Sequence, residues 1–235
     1  MIKGIFLAGR SLDSKFKNIE VIGNNLANVN STGYKKAMPF NEIISGLNKV
    51  TISQATNYAQ GNLTPTGNPL DLAINGNAFF AVQTENGVEL TRNGRLTISE
   101  DGFLVNQQGY KVLGKNGPIN INSSILDKNP ELTISKSGEI KSGDLVLDNL
   151  MMVKPDESEK LIRQDGTNFL TLDGTSTTAS NNDFEIRQGY VEESNVNPIE
   201  EMTAMIKIHN EYDSASKMVN FLDQSLGDAI EIGKV

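Results

Sequence analysis

Apolar residues near the two ends of the chain recur every seven positions, while those in the middle alternate every second. Ile5, Leu12, Ile19 and Leu26 hold one N-terminal seam position; Met1, Ala8, Lys15, Ile22 and Val29 hold the other, with Lys15 the one polar intruder. At the far end Met205, Tyr212, Val219 and Leu226 interleave with Ile208, Ala215, Leu222 and Ala229 in the same spacing. Two narrow stripes, each sustained over about four heptads, predict long helices that need a partner along their length. The C-terminal helix has a marked start, with Asn197 as cap, Pro198 at the first helical position and Glu200 at capping-box spacing. Running to Glu231, it would be about 50 Å long. The N-terminal helix contains Gly4, Gly9 and Gly23, each costing about 1 kcal/mol relative to Ala. It should therefore fray alone and order on packing.

From about residue 66 the period changes to two. Leu70, Leu72 and Ile74 alternate, then comes the apolar run Ala78 to Val82, and shorter pairs follow: Leu96/Ile98, Phe103/Val105, Ile119/Ile121, Leu132/Ile134 and Leu145/Leu147. Turn dipeptides separate them, among them Asn93-Gly94, Asp101-Gly102 and Asp165-Gly166, which supply the positive φ of tight hairpins. The stretch Thr171 to Asn182, rich in Ser, Thr and Asn, predicts an exposed loop. The expected fold is α+β and mainly β, with the terminal helices paired as a coiled coil beside a central antiparallel β domain. Residues 1–34 and 195–235 form the helical domain, 35–65 a linker interrupted by Pro39, Gly46 and Gly61, and 66–194 the β domain.

Charge supports pairing of the ends. Residues 1–30 carry a net +2, and residues 197–235, with three lysines against seven acids, a net −4. Opposite signs on two seamed helices favour their association. The whole chain is at −8, which argues against nucleic acid or an anionic membrane surface as partner. No apolar run is long enough to span a bilayer. The first residues lack the layout of a secretory signal, so export would have to leave the N-terminus uncleaved.

Candidate chemistry is sparse. With no cysteine there is no disulfide, thiolate metal site or Cys nucleophile. His209 is the single histidine and sits beside a helical seam, which suits packing or an interface better than a triad. The paired acids Glu192-Glu193 and Glu200-Glu201 read as charge favourable to a helix N-terminus. No spacing suits a metal or a phosphate-cradling loop. The expectation is a protein without cofactor, metal or catalytic residues.

Three strings carry a resemblance. The first is Ile22-Gly23-Asn24-Asn25-Leu26-Ala27-Asn28-Val29-Asn30-Ser31-Thr32-Gly33-Tyr34-Lys35, in which asparagines tolerate turn geometry and Gly33 permits a sharp exit. The second runs from Gly61-Asn62-Leu63 through Leu70-Asp71-Leu72-Ala73-Ile74-Asn75-Gly76 to Phe79-Phe80, continued by Thr91-Arg92-Asn93-Gly94. The third joins Gln188-Gly189-Tyr190 and Glu193-Ser194-Asn195-Val196-Asn197 to Glu200-Glu201-Met202. Together they resemble the rod and hook proteins of the bacterial flagellar axis over about half the chain; residues 115–186 carry little of the likeness. The resemblance implies a structural subunit of the periplasm-crossing rod in the basal body, of the proximal rather than the distal type. It would be exported uncleaved by the flagellar type III apparatus and would assemble with copies of itself and other rod and hook subunits around a central channel. It also implies that the terminal helices build the assembly interface, through Ile5, Leu12, Ile19, Leu26, Met205, Tyr212, Val219, Leu222 and Leu226, with Asn24, Asn25 and Asn28 in the signature string. The reading from another class is a secreted β-rich binding module oligomerised by its helices, but no Trp and five Tyr offer little for an aromatic glycan platform.

Overall fold

A computed structural model describes residues 2–44, 49–121, 132–155, 161–164, 166–171, 176–180 and 182–232. The chain divides into two compact units. One contains residues 1–29, 36–57 and 196–235; the other contains 30–35 and 58–195.

The helical unit holds helix α1 (Ile2–Ala27), strands β1 (Ala37–Ile44) and β2 (Lys49–Thr56), and helix α2 (Pro198–Ile232). α1 and α2 lie in contact and run antiparallel. A Cβ at Gly4 would sit 3.8 Å from Leu222 Cδ1 and one at Gly23 3.9 Å from Met205 Cε, so numbers rise along one helix as they fall along the other. Asn197 Oδ1 caps α2 by accepting the Ile199 N–H at 3.1 Å. The capping box is closed differently from expectation: the Glu200 carboxylate accepts the Asn197 side-chain amide, at 3.2 Å.

Where the sequence suggests a linker, β1 and β2 pair antiparallel from Ala37↔Thr56 to Ile44↔Lys49. β-branched residues at 43, 44, 50, 51 and 52 favour extended backbone, and both strands are edges, where Pro39 removes no interior ladder bond. This hairpin packs on α1. Residues 30–34, expected with the helices, and Lys35, expected in the linker, belong instead to the β unit.

The β unit is antiparallel throughout. Its largest sheet runs Leu161–Arg163, Asn168–Thr171, Gly87–Thr91, Phe79–Thr84, Lys111–Gly114, Leu104–Asn106, Leu96–Ile98, with Met152–Pro155 also pairing Phe79–Thr84. Leu132–Ile134, Glu139–Ser142 and Leu145–Asn149 make a three-stranded sheet. Phe184–Gln188 pairs with Leu72–Gly76, and Tyr190–Glu192 with Leu63–Pro65. Within Thr171 to Asn182, the loop of the sequence reading, Ser176–Thr178 forms a strand against Val153–Pro155. Its Thr residues suit a pleated surface, which overrides the loop-like composition.

Strand Phe79–Thr84 explains the unbroken apolar run. Phe80 and Val82 join a core with Leu72, Leu96, Leu104 and Met152, while Phe79 and Ala81 join a second core with Leu90, Leu113 and Phe169. Successive side chains point to opposite faces, and both faces are buried here.

Candidate assembly interface

The seam residues of the sequence analysis meet within one chain. Along α2, Met205, Ile208, Tyr212, Ala215, Val219, Leu222 and Leu226 are all half-buried, with mostly exposed residues between them. On α1, Leu12, Ile19 and Leu26 are half-buried and Ile22 is buried. The side chain of Ile5 lies outside the described residues. Lys15, the polar intruder, is half-buried and forms an ion pair with Glu211 of α2. Its hydrogen bond holds the Glu211 carboxyl below the ordinary value. A lysine can occupy such a seam because its stem packs while its ammonium reaches the edge.

Asn24, Asn25 and Asn28 of the signature do different things. Asn24 is exposed, and its carbonyl oxygen accepts the backbone N–H (3.2 Å) and the side-chain amide (2.9 Å) of Asn28, which closes the end of α1. Asn25 is buried and bonds both backbone groups of Ala37, donating to the carbonyl at 2.8 Å and accepting the N–H at 2.9 Å. It also donates to Glu201 Oε2 at 3.0 Å, and Lys36 Nζ lies 2.6 Å from Glu201 Oε1. The amide thus binds β1 and α2 to α1, a tertiary role beyond the turn chemistry expected of it.

Glu192, assigned to helix-end charge, lies instead in strand Tyr190–Glu192, buried and ion-paired to Lys35. Glu201 does stand in the first turn of α2, and is also buried and ion-paired to Lys36. Glu200 is exposed, as a first-turn acid should be, and so is His209, within 3.8 Å of Asp213. Among the described residues no group of acids and histidines could hold a metal.

A second apolar set lies outside the heptad seams. On α2, Ile199, Met202 and Ile206 follow each other at i, i+3, i+7 and are 74%, 51% and 64% exposed; Met218 and Phe221 add to them. At about 100° per residue Ile199, Ile206 and Phe221 lie opposite the face that meets α1, with Met202 and Met218 on its two flanks. On α1, Phe6, Leu7 and Phe16 are likewise exposed.

Family models match three segments: residues 16–35 the flagella basal body rod protein, 73–142 the flagellar hook protein FlgE/F/G D1 domain, and 187–232 the flagellar basal body rod FlgEFG protein C-terminal. The flagellar basal-body rod protein FlgF of Caulobacter vibrioides is 32% identical over 234 residues, covering 93% of each chain. The chain belongs to the flagellar basal-body rod protein family. FlgF of Mesorhizobium japonicum is 29% identical, over 92% of this chain and 91% of that protein. The rod protein FlgG of Buchnera aphidicola subsp. Schizaphis graminum is 32% identical over 96% and 98%. The residues that knit this rod-family chain together fall inside the matched segments: Asn25 and Lys35 in the first, Arg92 in the second, Glu192 and Glu201 in the third.

Proposed function

We propose that this chain is a FlgF-type, proximal subunit of the basal-body rod, with an architectural and not a catalytic role. It polymerises helically with copies of itself and with other rod and hook subunits to build the periplasm-spanning shaft and its export channel. α1 and α2 act as one antiparallel coiled-coil unit in that assembly, delivered uncleaved by the flagellar type III apparatus. The observation that carries this reading is the double-sided α2. One apolar face is taken up by α1 of the same chain; Ile199, Ile206 and Phe221 on the opposite side, and Met202 and Met218 on the flanks, are left in solvent. A helix that ended its life in water would carry polar residues there, and exposed apolar stripes of this kind mark surfaces that become covered. The proximal assignment is supported by alignment length. Alignments to the FlgF relatives run over 223 to 239 positions, close to this chain's length, whereas those to FlgG run over 256 and more.

Deleting the gene and imaging isolated basal bodies tests the reading. The expected result is non-motile cells whose basal bodies stop short within the rod; deletion cells that swim with full-length rods would refute it.

A further inference from the structure

The chain passes between its two units at 29/30, 35/36, 57/58 and 195/196. On the β-unit side, the segments next to these points gather around one carboxylate. Glu192, with no exposed surface, accepts Lys35 Nζ at 2.6 Å and the Gly61 N–H at 3.0 Å on Oε1, and Arg92 Nη1 at 3.3 Å on Oε2. Lys35 Nζ, equally buried, also donates to the Ala59 carbonyl at 2.8 Å. Asn195 donates to the same carbonyl through its side chain, at 2.8 Å, and to the Tyr34 carbonyl through its backbone. Arg163 donates to the Lys35 carbonyl and stacks on Tyr34 and Phe169, with its guanidinium 4.6 Å and 5.3 Å from the ring centres. Arg92 stacks on Phe79 at 4.6 Å.

Two buried cations therefore share one buried anion. Burial pushes the pKa values of Lys35 and Arg92 down, and Glu192 pulls them back up. Apolar side chains could fill such a space at lower desolvation cost. Charged hydrogen bonds add direction: each ties a named atom of one segment to a named atom of another. Residues 30–35, 58–61 and 190–195 are thereby held to one another and, through Arg92, to the sheet.

We propose that Lys35, Arg92 and Glu192 form a mechanical joint that makes these three segments one rigid body. Force entering the β unit is then delivered to the sheet as a whole, and not through separate connecting strands. The joint stands on this geometry; its part in carrying torque rests on the rod-subunit reading.

Hydrogen exchange followed by mass spectrometry on the full chain tests the joint. In Glu192→Gln, which keeps shape and removes the anion, amides in 30–35, 58–61 and 190–195 should exchange at least tenfold faster together, with Phe79–Val82 unchanged. Equal acceleration in Phe79–Val82, or acceleration confined to 190–195, would overturn the joint. Should that variant fail to fold, Arg163→Lys removes the planar fork and its stacking while keeping the charge. It should loosen the same three segments to a smaller extent, and loosening of 30–35 alone would count against the proposal. For torque, cells carrying Glu192→Gln should make normal amounts of protein yet spread poorly in soft agar. Coupled loosening with normal spreading would refute the mechanical role, whereas deletion cells that swim would remove the rod reading and leave the joint intact.

Discussion

At Gly33 the backbone has φ +69, and a Cβ built there would lie 2.5 Å from the carbonyl carbon of Arg92 and from Asn93 N. Neither atom belongs to a flexible side-chain end, so alanine meets both an unfavourable backbone region and a clash that cannot be relieved cheaply. Gly33→Ala should cost about 2–4 kcal/mol, from left-handed strain and overpacking together. Gly9 is the contrast: it is helical and exposed, with nothing within 4 Å of a built Cβ. Gly9→Ala should stabilise the chain by about 0.5–1 kcal/mol. Urea unfolding of both variants checks the pair, and equal effects would show that the close approach at Gly33 is not what requires glycine. Single-residue roles of this kind were partly legible in the sequence. Gly33 as a sharp exit could be read from its turn context, because φ preferences are local. The burial of Lys35, Glu192 and Glu201 could not, because their partners are 157 residues away in the first ion pair and farther still in the other.

Among the elements, the seven-residue period located α1 and α2 closely, since a helix face is a property of local spacing. The outer apolar residues of α2 do not stand out in the sequence, because they sustain no seven-residue repeat beside the regular seam. The two faces make separable predictions. Val219 and Leu222 are half-buried where α2 meets α1. Val219→Asp or Leu222→Asp brings an unpaired charge into that contact and should lower the helical content and melting temperature of the purified chain, followed by circular dichroism. Phe221, 66% exposed, should tolerate Asp in the purified chain without change, yet Phe221→Asp should block rod assembly and swimming. A Phe221→Asp strain that swims like its parent would show that the outer stripe is not an assembly surface. Thr178→Asp, at an exposed position in strand Ser176–Thr178, serves as the control that should leave both readouts unchanged.

For the molecule as a whole, alternation and turn dipeptides announced a β domain, but its limits depended on contacts that no local pattern encodes. The sequence reading began it at residue 66 and placed 35–65 in a linker. In the structure Tyr58 already packs in the second core, with its ring 5.5 Å from Phe169 and 6.3 Å from Phe79. Strand Leu63–Pro65 pairs with Tyr190–Glu192, and Gln60 donates to the Ile74 carbonyl at 3.0 Å and accepts the Gly76 N–H at 3.2 Å. A fragment of residues 66–190 would therefore lose Tyr58 from its aromatic cluster, all of the Leu63–Pro65 and Tyr190–Glu192 pair except Tyr190, and the Gln60 bonds to Ile74 and Gly76. It would also leave Arg92 without its carboxylate, because Glu192 lies outside the fragment. Residues 58–195 retain both cores, the three small sheets and Glu192, though not Lys35. The expected order of stability is the fragment 30–195 with 36–57 replaced by a short flexible linker, then 58–195, then 66–190. The first should give a single sharp thermal transition and a near-ultraviolet circular dichroism signal from Tyr58 in its ring cluster. The last should melt earliest and lose that signal. Equal melting temperatures for 58–195 and 66–190 would show that the β unit does not need residues 58–65, and would restore the boundary drawn from the alternating pattern.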